Sequence, residues 1–241
     1  MSLIKNNSLA IIPARAGSKS IKNKNIRLFN GKPLIAWTIE QALASNLTRV
    51  IVTTDSEEIK EIAVKYGAEV PYLRDENLAN DTIGIEPVII DVLDYLKTNE
   101  SYIPDCIALL MPTSPFRDIN DINKSLEIYQ NTGATSVVSV SRAVSNNNPY
   151  WMLKEDDENN VVLFTGQGLS EIKTRRQDLP EVFIRNDFVY MLNPENLYLE
   201  KPGLYGCNVE LMKVSNERMD IDINTEMDWK AAEVLFKDEV K

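Results

Sequence analysis

The sequence predicts an α/β fold in which a mostly parallel sheet carries helices on both faces. Short apolar runs alternate with amphipathic segments over residues 9–141, and turn residues separate them. Strands that are apolar along their whole length are typical of parallel sheets buried on both sides by helices. A chain of 241 residues can form one large domain, or one domain with an appendage.

The individual elements follow from this alternation. We predict strands at 9–14 (LAIIPA), 49–55 (RVIVTTD), 68–73 (AEVPYL), 106–111 (CIALLM) and 135–141 (TSVVSVS). We predict helices over 34–46, after Asp55 (with Ile59, Ile62, Ala63 and Tyr66 on one face), over about 85–98 and over about 119–131, because apolar residues recur there with helical spacing. Asp55 and Glu58 have the spacing of a capping box for the second helix.

The character of the chain changes near residue 144. The stretch SNNNPYWMLKEDDENN is polar and rich in turn residues, and short strand-like pieces follow at 161–164 and 182–192. We therefore divide the chain into a main α/β domain, formed by 1–143 and 206–241, and a smaller β-rich excursion at 144–205. The main domain is expected to end in a helix that begins at Thr225.

Composition excludes several classes of function. The net charge of −10 and the pI near 4.7 argue against a nucleic-acid partner, which needs a broad basic face. Histidine is absent, which excludes histidine bases and histidine-ligated zinc. Cys106 and Cys207 fit no metal or redox spacing, and no apolar run approaches the roughly 20 residues of a membrane span. We expect a cytoplasmic protein with reduced thiols and no membrane partner.

A basic loop follows the first strand. The first 39 residues contain seven Lys or Arg and no acidic residue, although the whole chain is acidic. The cations lie among Gly, Ser and Asn rather than along one helix, which favours an anion site over a solvated charged surface. Gly17 allows close backbone approach to an anion, Arg15 offers a fork for phosphate oxygens, and Lys19 and Lys24 add point charges.

The unusual residues are expected at one edge of the sheet. In such sheets, ligands bind outside the carboxyl ends of the parallel strands. The basic loop, the TTDS segment (53–56) and the MPTSPFR segment (111–117) all lie at the carboxyl ends of predicted strands. They should therefore meet at the same edge.

The segment MDIDIN (219–224) contains a pair of carboxylates, Asp220 and Asp222. In a strand these side chains would lie about 7 Å apart on one side, while Ile221 and Ile223 face the core. Two convergent carboxylates suit Mg²⁺, which keeps some waters and also binds substrate phosphates. The alternative is that both are solvent-facing strand residues. Opposite a phosphate-binding loop, we favour the metal.

A second group of cations lies in the segment 174–187. Arg175, Arg176 and Arg185 occur there among turn-like residues. They are either surface charges or ligands for a carboxylate or phosphate of a second substrate. The sequence alone leaves both possibilities open.

Several motifs together resemble the bacterial CMP-N-acylneuraminate synthetases, including relatives that activate legionaminic or pseudaminic acid. They are IIPARAGSKSIKNKNI, TTDSEEI, LANDT, LLMPTSP, RRQDLP and MDIDINTEMDW, in family order between about residues 9 and 235. The resemblance implies a nucleotidyltransferase-type, Rossmann-like sheet and a homodimer built through the excursion. It also implies a Mg²⁺-dependent reaction that joins CTP to a nine-carbon 2-keto-3-deoxy acid sugar and releases pyrophosphate.

The resemblance also implies roles for particular residues. Arg15, Ser18, Lys24 and Asn25 match nucleotide and triphosphate contacts, and Arg15 and Lys24 would offset charge on the leaving pyrophosphate. Arg74 and Ile83 match the family's cytosine contacts. Asp220 and Asp222 match its metal ligands and would also be catalytic. Arg176 and Tyr190 match positions that face the sugar.

Two positions depart from the family pattern. Met111 stands where the family usually has Gln, so we expect Met111 to contact the sugar and to favour a deoxygenated acid. Ile184 stands where the family often has Arg, and Arg185 follows it. Because a slip of one residue in a strand reverses the face, Arg185 is not assumed to inherit that role.

Three alternative functions stay open. The enzyme could activate an eight-carbon Kdo-type acid, or it could be a metal-dependent glycosyltransferase that uses a nucleotide-sugar. It could also be a non-catalytic nucleotide-binding homologue. The large positive charge of the basic loop argues against the glycosyltransferase, since a bound triphosphate needs more positive charge than a diphosphate. Retention of Arg15, Lys24, Asp220 and Asp222 together argues against the third.

Overall fold

A six-stranded, mostly parallel sheet forms the centre of the structure. The computed structural model describes residues 7–80, 82–214 and 221–239. The strands in this part of the chain are β1 (Ser8–Pro13), β2 (Leu28–Phe29), β3 (Lys32–Pro33), β4 (Arg49–Thr53), β5 (Cys106–Leu109), β6 (Ser136–Arg142), β7 (Leu153–Glu155), β8 (Val161–Leu163), β9 (Phe183–Leu192) and β10 (Val209–Lys213). The helices are α1 (Leu34–Ala44), α2 (Glu57–Lys65), α3 (Ile85–Glu100), α4 (Ile119–Thr132) and α5 (Glu226–Glu239).

The order of strands in the sheet is β10-β6-β9-β5-β1-β4. β1 pairs in parallel with β4 and β5, and β10 pairs in parallel with β6. β9 is the exception, because it is antiparallel to both of its neighbours, β5 and β6. The remaining strands form two small hairpins, β2-β3 and β7-β8. The predicted α/β class is confirmed.

Helices cover both faces of the sheet, as predicted. One face packs against apolar side chains of α1, α2 and α4, among them Ile39, Ile59 and Ile122. The other face packs against α3 through Ile89 and Val92. Burial of these two apolar surfaces is the main stabilising contribution to the fold.

A third apolar cluster attaches the basic loop and the last helix to the domain. Ile21 and Phe29 are fully buried there, against Trp229 and Phe236 of α5. Phe29 contacts both α5 rings edge to face, at centroid distances of 5.5 Å from Trp229 and 5.3 Å from Phe236. The cluster therefore holds a polar loop against the fold through its few apolar residues.

Helix capping differs from the prediction at α2. The side chain of Ser56, not Asp55, accepts a hydrogen bond from the backbone N–H of Ile59. The Asp55 carboxylate instead accepts a hydrogen bond from the backbone N–H of Ala16, at 3.0 Å. The predicted Asp55–Glu58 capping box is wrong, because a residue distant in the chain uses the carboxylate.

The strand predicted at 68–73 is also wrong. Only Glu69 pairs with the sheet, in a parallel bridge to Ile51. The backbone of Glu69 donates to the Val50 carbonyl and accepts from Val52 N–H, both at 2.9 Å. Pro71 follows two residues later and has no N–H to continue the ladder.

The boundary of the excursion needs a correction as well. The piece predicted at 182–192 is a strand, but as β9 it lies inside the main sheet between β5 and β6. The β7-β8 hairpin alone forms a separate small sheet in the region 144–205. The main domain therefore includes β9, which the sequence division assigned to the excursion. β10 and α5 return to the main domain as expected.

Within the described residues, no helix combines the length and the apolar character needed to cross a membrane.

Candidate active site

A cleft of about 260 Å³ opens at the carboxyl ends of β1 and β5. Three segments line it: the basic loop after β1, the chain between residues 74 and 88, and the start of the loop after β5. These segments meet at the predicted edge of the sheet. Seven predicted site residues line the cleft: Arg15, Ser18, Lys24, Asn25, Arg74, Ile83 and Met111.

Local hydrogen bonds fix the shape of the basic loop. The Asn25 side chain donates to the Arg15 carbonyl at 3.0 Å, and the Asn25 carbonyl accepts from Ile35 N–H at the start of α1 at 2.9 Å. Asn23 adopts a left-handed conformation, with φ of 54°, which Asn tolerates better than most residues. Asn25 is therefore a support of the loop as well as a residue of the cleft wall.

The two principal cations reach across the cleft to other segments. Arg15 Nη1 donates to the Ala79 carbonyl at 3.1 Å, and Lys24 Nζ donates to the Ile223 carbonyl at 2.9 Å. Burial lowers the pKa of Lys24 from its ordinary value. The charge of Asp222 opposes this effect and the charge of Arg15 adds to it. An anion bound in the cleft would stabilise the protonated form of Lys24, so the site favours a negatively charged ligand.

Arg74 is a buried cation of the cleft wall, with an exposed fraction of 5 %. Its Nε makes no hydrogen bond with the residues that the structure describes, and its Nη2 lies 3.9 Å from Asp55 Oδ1. Burial lowers the pKa of Arg74, and the negative charge of Asp55 opposes that shift. A ligand acceptor would satisfy the donor that remains unpaired.

Asp222 lies in an irregular segment rather than in the predicted strand. Ile223 N–H donates to the Thr113 carbonyl at 2.9 Å, which joins this segment to the loop after β5. Ile221 and Ile223 do pack into the third apolar cluster. The strand prediction is therefore wrong for 221–224, although the two isoleucines face inward as expected. Asp220 lies outside the described residues.

The Asp222 carboxylate has an oxygen suited to a cation. Its Oδ2 accepts from the Asn224 side chain at 2.5 Å, while Oδ1 is buried without a hydrogen-bond partner among the described residues. Within that part of the chain, no group of three or more His, Cys, Asp or Glu side chains forms a metal cluster. Asp222 thus fits one carboxylate ligand of Mg²⁺, which also uses water and phosphate oxygens.

Two predicted sugar-facing residues lie outside this cleft lining. Tyr190 is on β9, paired with Leu109 of β5, and only 3 % of it is exposed. Arg176 begins an exposed 3₁₀ turn, Arg176–Asp178, in the excursion. Tyr190 is thus one strand away from the cleft, whereas Arg176 belongs to a different part of the surface.

The sequence analysis did not identify Arg117, whose side chain hydrogen-bonds to residues at this edge of the sheet. Arg117 is buried, and its guanidinium donates to the carbonyls of Met111 and Phe188, at 2.8 Å and 2.5 Å. It also donates to Gln41 Oε1 at 3.2 Å. The one charged residue in the MPTSPFR loop was the available signal.

Two solved structures share the fold. One is described as CMP:2-keto-3-deoxy-manno-octonic acid synthetase complexed with CTP. It matches with a TM-score of 0.71 and 15 % identity, over 96 % of this chain and 99 % of that one. The other is 4-diphosphocytidyl-2C-methyl-D-erythritol synthase from Anaerococcus prevotii, with a TM-score of 0.66 and 15 % identity over 97 % of each chain. The fold is therefore of the nucleotidyltransferase type.

The family follows from the sequence. The chain belongs to the cytidylyltransferase family, whose model matches residues 9–232, and it is a nucleotidyltransferase enzyme. A CMP-N,N'-diacetyllegionaminic acid synthase from Legionella pneumophila is 38 % identical over 95 % of this chain and 96 % of the relative. A pseudaminic acid cytidylyltransferase from Campylobacter jejuni is 30 % identical, over 95 % and 96 %. An N-acylneuraminate cytidylyltransferase from Escherichia coli is 36 % identical, over 93 % of this chain and 51 % of the relative.

Proposed function

We propose that the enzyme transfers the CMP group of CTP to a nine-carbon 2-keto-3-deoxy acid sugar, giving the CMP-sugar and pyrophosphate. The observation that carries the proposal is that Arg15 and Lys24 line one cleft, while the charge of Asp222, whose Oδ1 is unpaired among the described residues, acts on Lys24. Full-length relatives named for legionaminic and pseudaminic acids support the substrate class. The alternative of an eight-carbon acid has support from a fold likeness alone.

The residues of the cleft suit an in-line displacement. The anomeric hydroxyl oxygen of the sugar forms a bond to the α-phosphorus, and the bond from that phosphorus to the bridging oxygen breaks. The electron pair of the broken bond leaves with pyrophosphate, and the hydroxyl proton passes to a carboxylate or to water. Arg15 and Lys24 offset the charge that grows on pyrophosphate. Such transfers depend mainly on positioning and charge stabilisation, so histidine is not required.

Asp222, with Asp220, is the proposed ligand pair for Mg²⁺. When bound, Mg²⁺ supplies charge neutralisation at the phosphate oxygens. The proposed cytosine contacts are Arg74, through its unpaired Nε, and Ile83, which lines the same cleft. Ser18 and Asn25 are proposed to contact the triphosphate, and Met111, Arg176 and Tyr190 the sugar. Arg176 lies away from the cleft of its own chain, so it contacts the sugar only if the excursion of a second subunit reaches this site. We therefore propose a homodimer, and we propose that it is cytoplasmic.

Pyrophosphate release tests the proposed function. The enzyme, CTP and Mg²⁺ are combined with N,N'-diacetyllegionaminic acid, pseudaminic acid, N-acetylneuraminic acid or the eight-carbon acid, and with no acid. We expect release with at least one nine-carbon acid, little release without an acid, and none when UTP replaces CTP. Release with the eight-carbon acid alone would support the alternative substrate. No release with any acid would contradict the proposed function.

A further inference from the structure

An irregularity in β9 brings a carboxylate close to the cleft. Val138 of β6 lies opposite Tyr190, but Val140, two residues later, lies opposite Arg185. The β9 side of the pairing therefore contains three more residues than the β6 side. Bulges of this kind redirect side chains, and they are frequent next to active sites.

Buried hydrogen bonds hold this bulge in one conformation. Ser139 Oγ donates to Asn186 Oδ1 at 2.6 Å and accepts from Val189 N–H at 2.8 Å. The Asn186 amide donates to Ser141 Oγ at 2.9 Å. Because these groups are buried and hydrogen-bonded to one another, the bulge is a stable feature of the fold.

The bulge lies beside the loop that begins at Met111 in the cleft wall. One guanidinium, that of Arg117, donates both to the Met111 carbonyl at the cleft and to the Phe188 carbonyl in the bulge. Tyr190 and Met111 also pack in the same apolar cluster as α3. β9 begins where the parallel strands end, so the bulge lies at the edge of the sheet where the cleft opens.

Asp187 lies in the bulge and is half-buried. Its φ of 56° is in the left-handed region, which favours glycine over a residue with a side chain. The Tyr190 hydroxyl donates to Asp187 Oδ1, and the positive charge of Arg185 lies nearby. Oδ2 makes no hydrogen bond with the described residues. The backbone at Asp187 is strained, and only one of the two carboxylate oxygens is hydrogen-bonded to a described residue. This combination indicates a functional role for the side chain.

We propose that Asp187 is a specificity-determining residue of the acid-sugar subsite. Its Oδ1 holds the Tyr190 hydroxyl in place, and its Oδ2 accepts a hydrogen bond from a hydroxyl or an acylamino N–H of the sugar. A carboxylate can only accept, so this subsite selects a donor group on the sugar. The inference rests on the proposed function, since it concerns the acceptor sugar and not the nucleotide.

Three variants separate the two oxygens. Asp187→Gly keeps the left-handed backbone and removes both oxygens. Asp187→Asn also tolerates this backbone and keeps an acceptor for Tyr190, but it places an NH₂ donor where Oδ2 stood. Tyr190→Phe removes the Tyr190 hydroxyl alone. Glu181→Gln is the matched control, because this exposed carboxylate lies just before β9 and its ion pairs with described residues are long, at 3.6 Å and 4.0 Å.

The measurement is pyrophosphate release with CTP or the acid sugar varied, after the wild type has identified its acid. We expect Asp187→Gly to raise the KM for the sugar about tenfold or more and Asp187→Asn to raise it at least fivefold, with the KM for CTP within about twofold. Glu181→Gln should change neither. Thermal unfolding of each variant checks that it is folded, and Asp187→Gly relieves the backbone strain at that position.

The possible outcomes are distinct. If the wild type releases no pyrophosphate with any acid, the proposed function fails. If the wild type is active and Asp187→Asn retains the wild-type KM for the sugar, direct contact through Oδ2 is overturned. Equal increases in the KM values for CTP and sugar in Asp187→Gly would also overturn the proposal, because they would indicate a general disturbance of the cleft.

Discussion

Arg74 in the cleft wall and Asp222, whose charge acts on Lys24, carry opposite kinds of unpaired polar groups. Arg74 Nε is a buried donor without an acceptor, and Asp222 Oδ1 is a buried acceptor without a donor, among the described residues. Each unpaired buried group costs about 1–3 kcal/mol of folding free energy. Such costs are expected where a ligand completes the pairing, so these two atoms mark where we expect the nucleotide and the cation.

The metal prediction concerns Asp222. Replacing Asp222 with Asn keeps its shape and removes the charge that a divalent cation needs. We expect kcat at saturating Mg²⁺ to fall about 100-fold or more, on the scale of losing one charge-stabilising group. The rise in Tm that Mg²⁺ and CTP together give the wild type should also shrink.

The control for this experiment is Asp157→Asn, an exposed carboxylate near the hairpin turn. It should keep both the turnover and the Tm shift. Near-normal turnover of Asp222→Asn would place the metal on other residues.

The sugar-preference prediction concerns Met111, whose side chain lies in the cleft wall and packs against the apolar cluster of α3. A thioether cannot pair usefully with a sugar hydroxyl, so an acid with a methyl or deoxy carbon there should be preferred. We expect kcat/KM for legionaminic or pseudaminic acid to exceed that for N-acetylneuraminic acid by roughly ten- to a hundredfold.

Met111→Gln should narrow this ratio by improving N-acetylneuraminic acid as a substrate. The three acids are compared with each enzyme at saturating CTP. Equal kcat/KM values for all three acids, unchanged by the substitution, would mean that Met111 only packs in the core.

Among the elements, the loop after β5 and the bulge of β9 are joined through Arg117. This side chain is buried, and burial lowers its pKa to about 9. Its donors bond to two carbonyls and to Gln41, while the Gln41 amide donates to the carbonyls of Pro115 and Arg117. The two elements therefore share one network, and a change in it should disturb both.

The stability prediction tests this network. Arg117→Met fills similar space but leaves the Met111 and Phe188 carbonyls without their donor, at about 1–3 kcal/mol each. With roughly 2–4 °C per kcal/mol for a domain of this size, we expect the Tm to fall by about 4 °C or more. The KM values for both substrates should rise, because both sides of the active site lose support.

Arg142→Met is the matched control. The Arg142 side chain is 73 % exposed and lies 3.6 Å from Glu181, so its contribution to stability should be small. We expect a change in Tm within about 2 °C. A Tm of Arg117→Met equal to that of the control would contradict the structural role of Arg117.

At the scale of the whole molecule, the excursion exposes apolar side chains that a soluble monomer seldom leaves open to water. Leu153, Val161 and Phe164 of the β7-β8 hairpin are largely exposed, with Phe164 at 57 %. Larger exposed apolar patches mark interaction surfaces. A second copy of the chain is the partner that our proposed function requires, because Arg176 lies in the same excursion.

The dimer prediction follows from this surface. Phe164→Glu places a charge in the proposed interface, and we expect the protein to become monomeric in light scattering coupled to size-exclusion chromatography. Its kcat/KM for the sugar should fall at the same time. Val64→Glu, a change of a 54 % exposed side chain on α2, should leave the dimer intact. A monomeric wild type, or a dimeric Phe164→Glu, would contradict the proposed assembly.

Most of the fold and most of the residues that line the cleft could be predicted from the sequence. Alternation between apolar runs and helical periodicity determined the α/β class, because burial of regular elements leaves a local pattern. The basic loop could also be recognised from the sequence, because its cations are close together in the chain and no acidic residue precedes Glu40. Ser18, Lys24 and Asn25 thus lie in the cleft as their positions after β1 suggested.

Only the tertiary structure decided where β9 inserts and which groups surround the bulge that we propose as part of the sugar subsite. Arg117 contacts Phe188 across 71 positions of the chain, and Asp55 contacts Ala16 across 39. Contacts between distant residues leave no periodic signal, because they depend on the strand order and on the three extra residues of the bulge. For that physical reason, the position of Asp187 and the hydrogen-bond partners of Arg117 could be recognised only after the chain was folded.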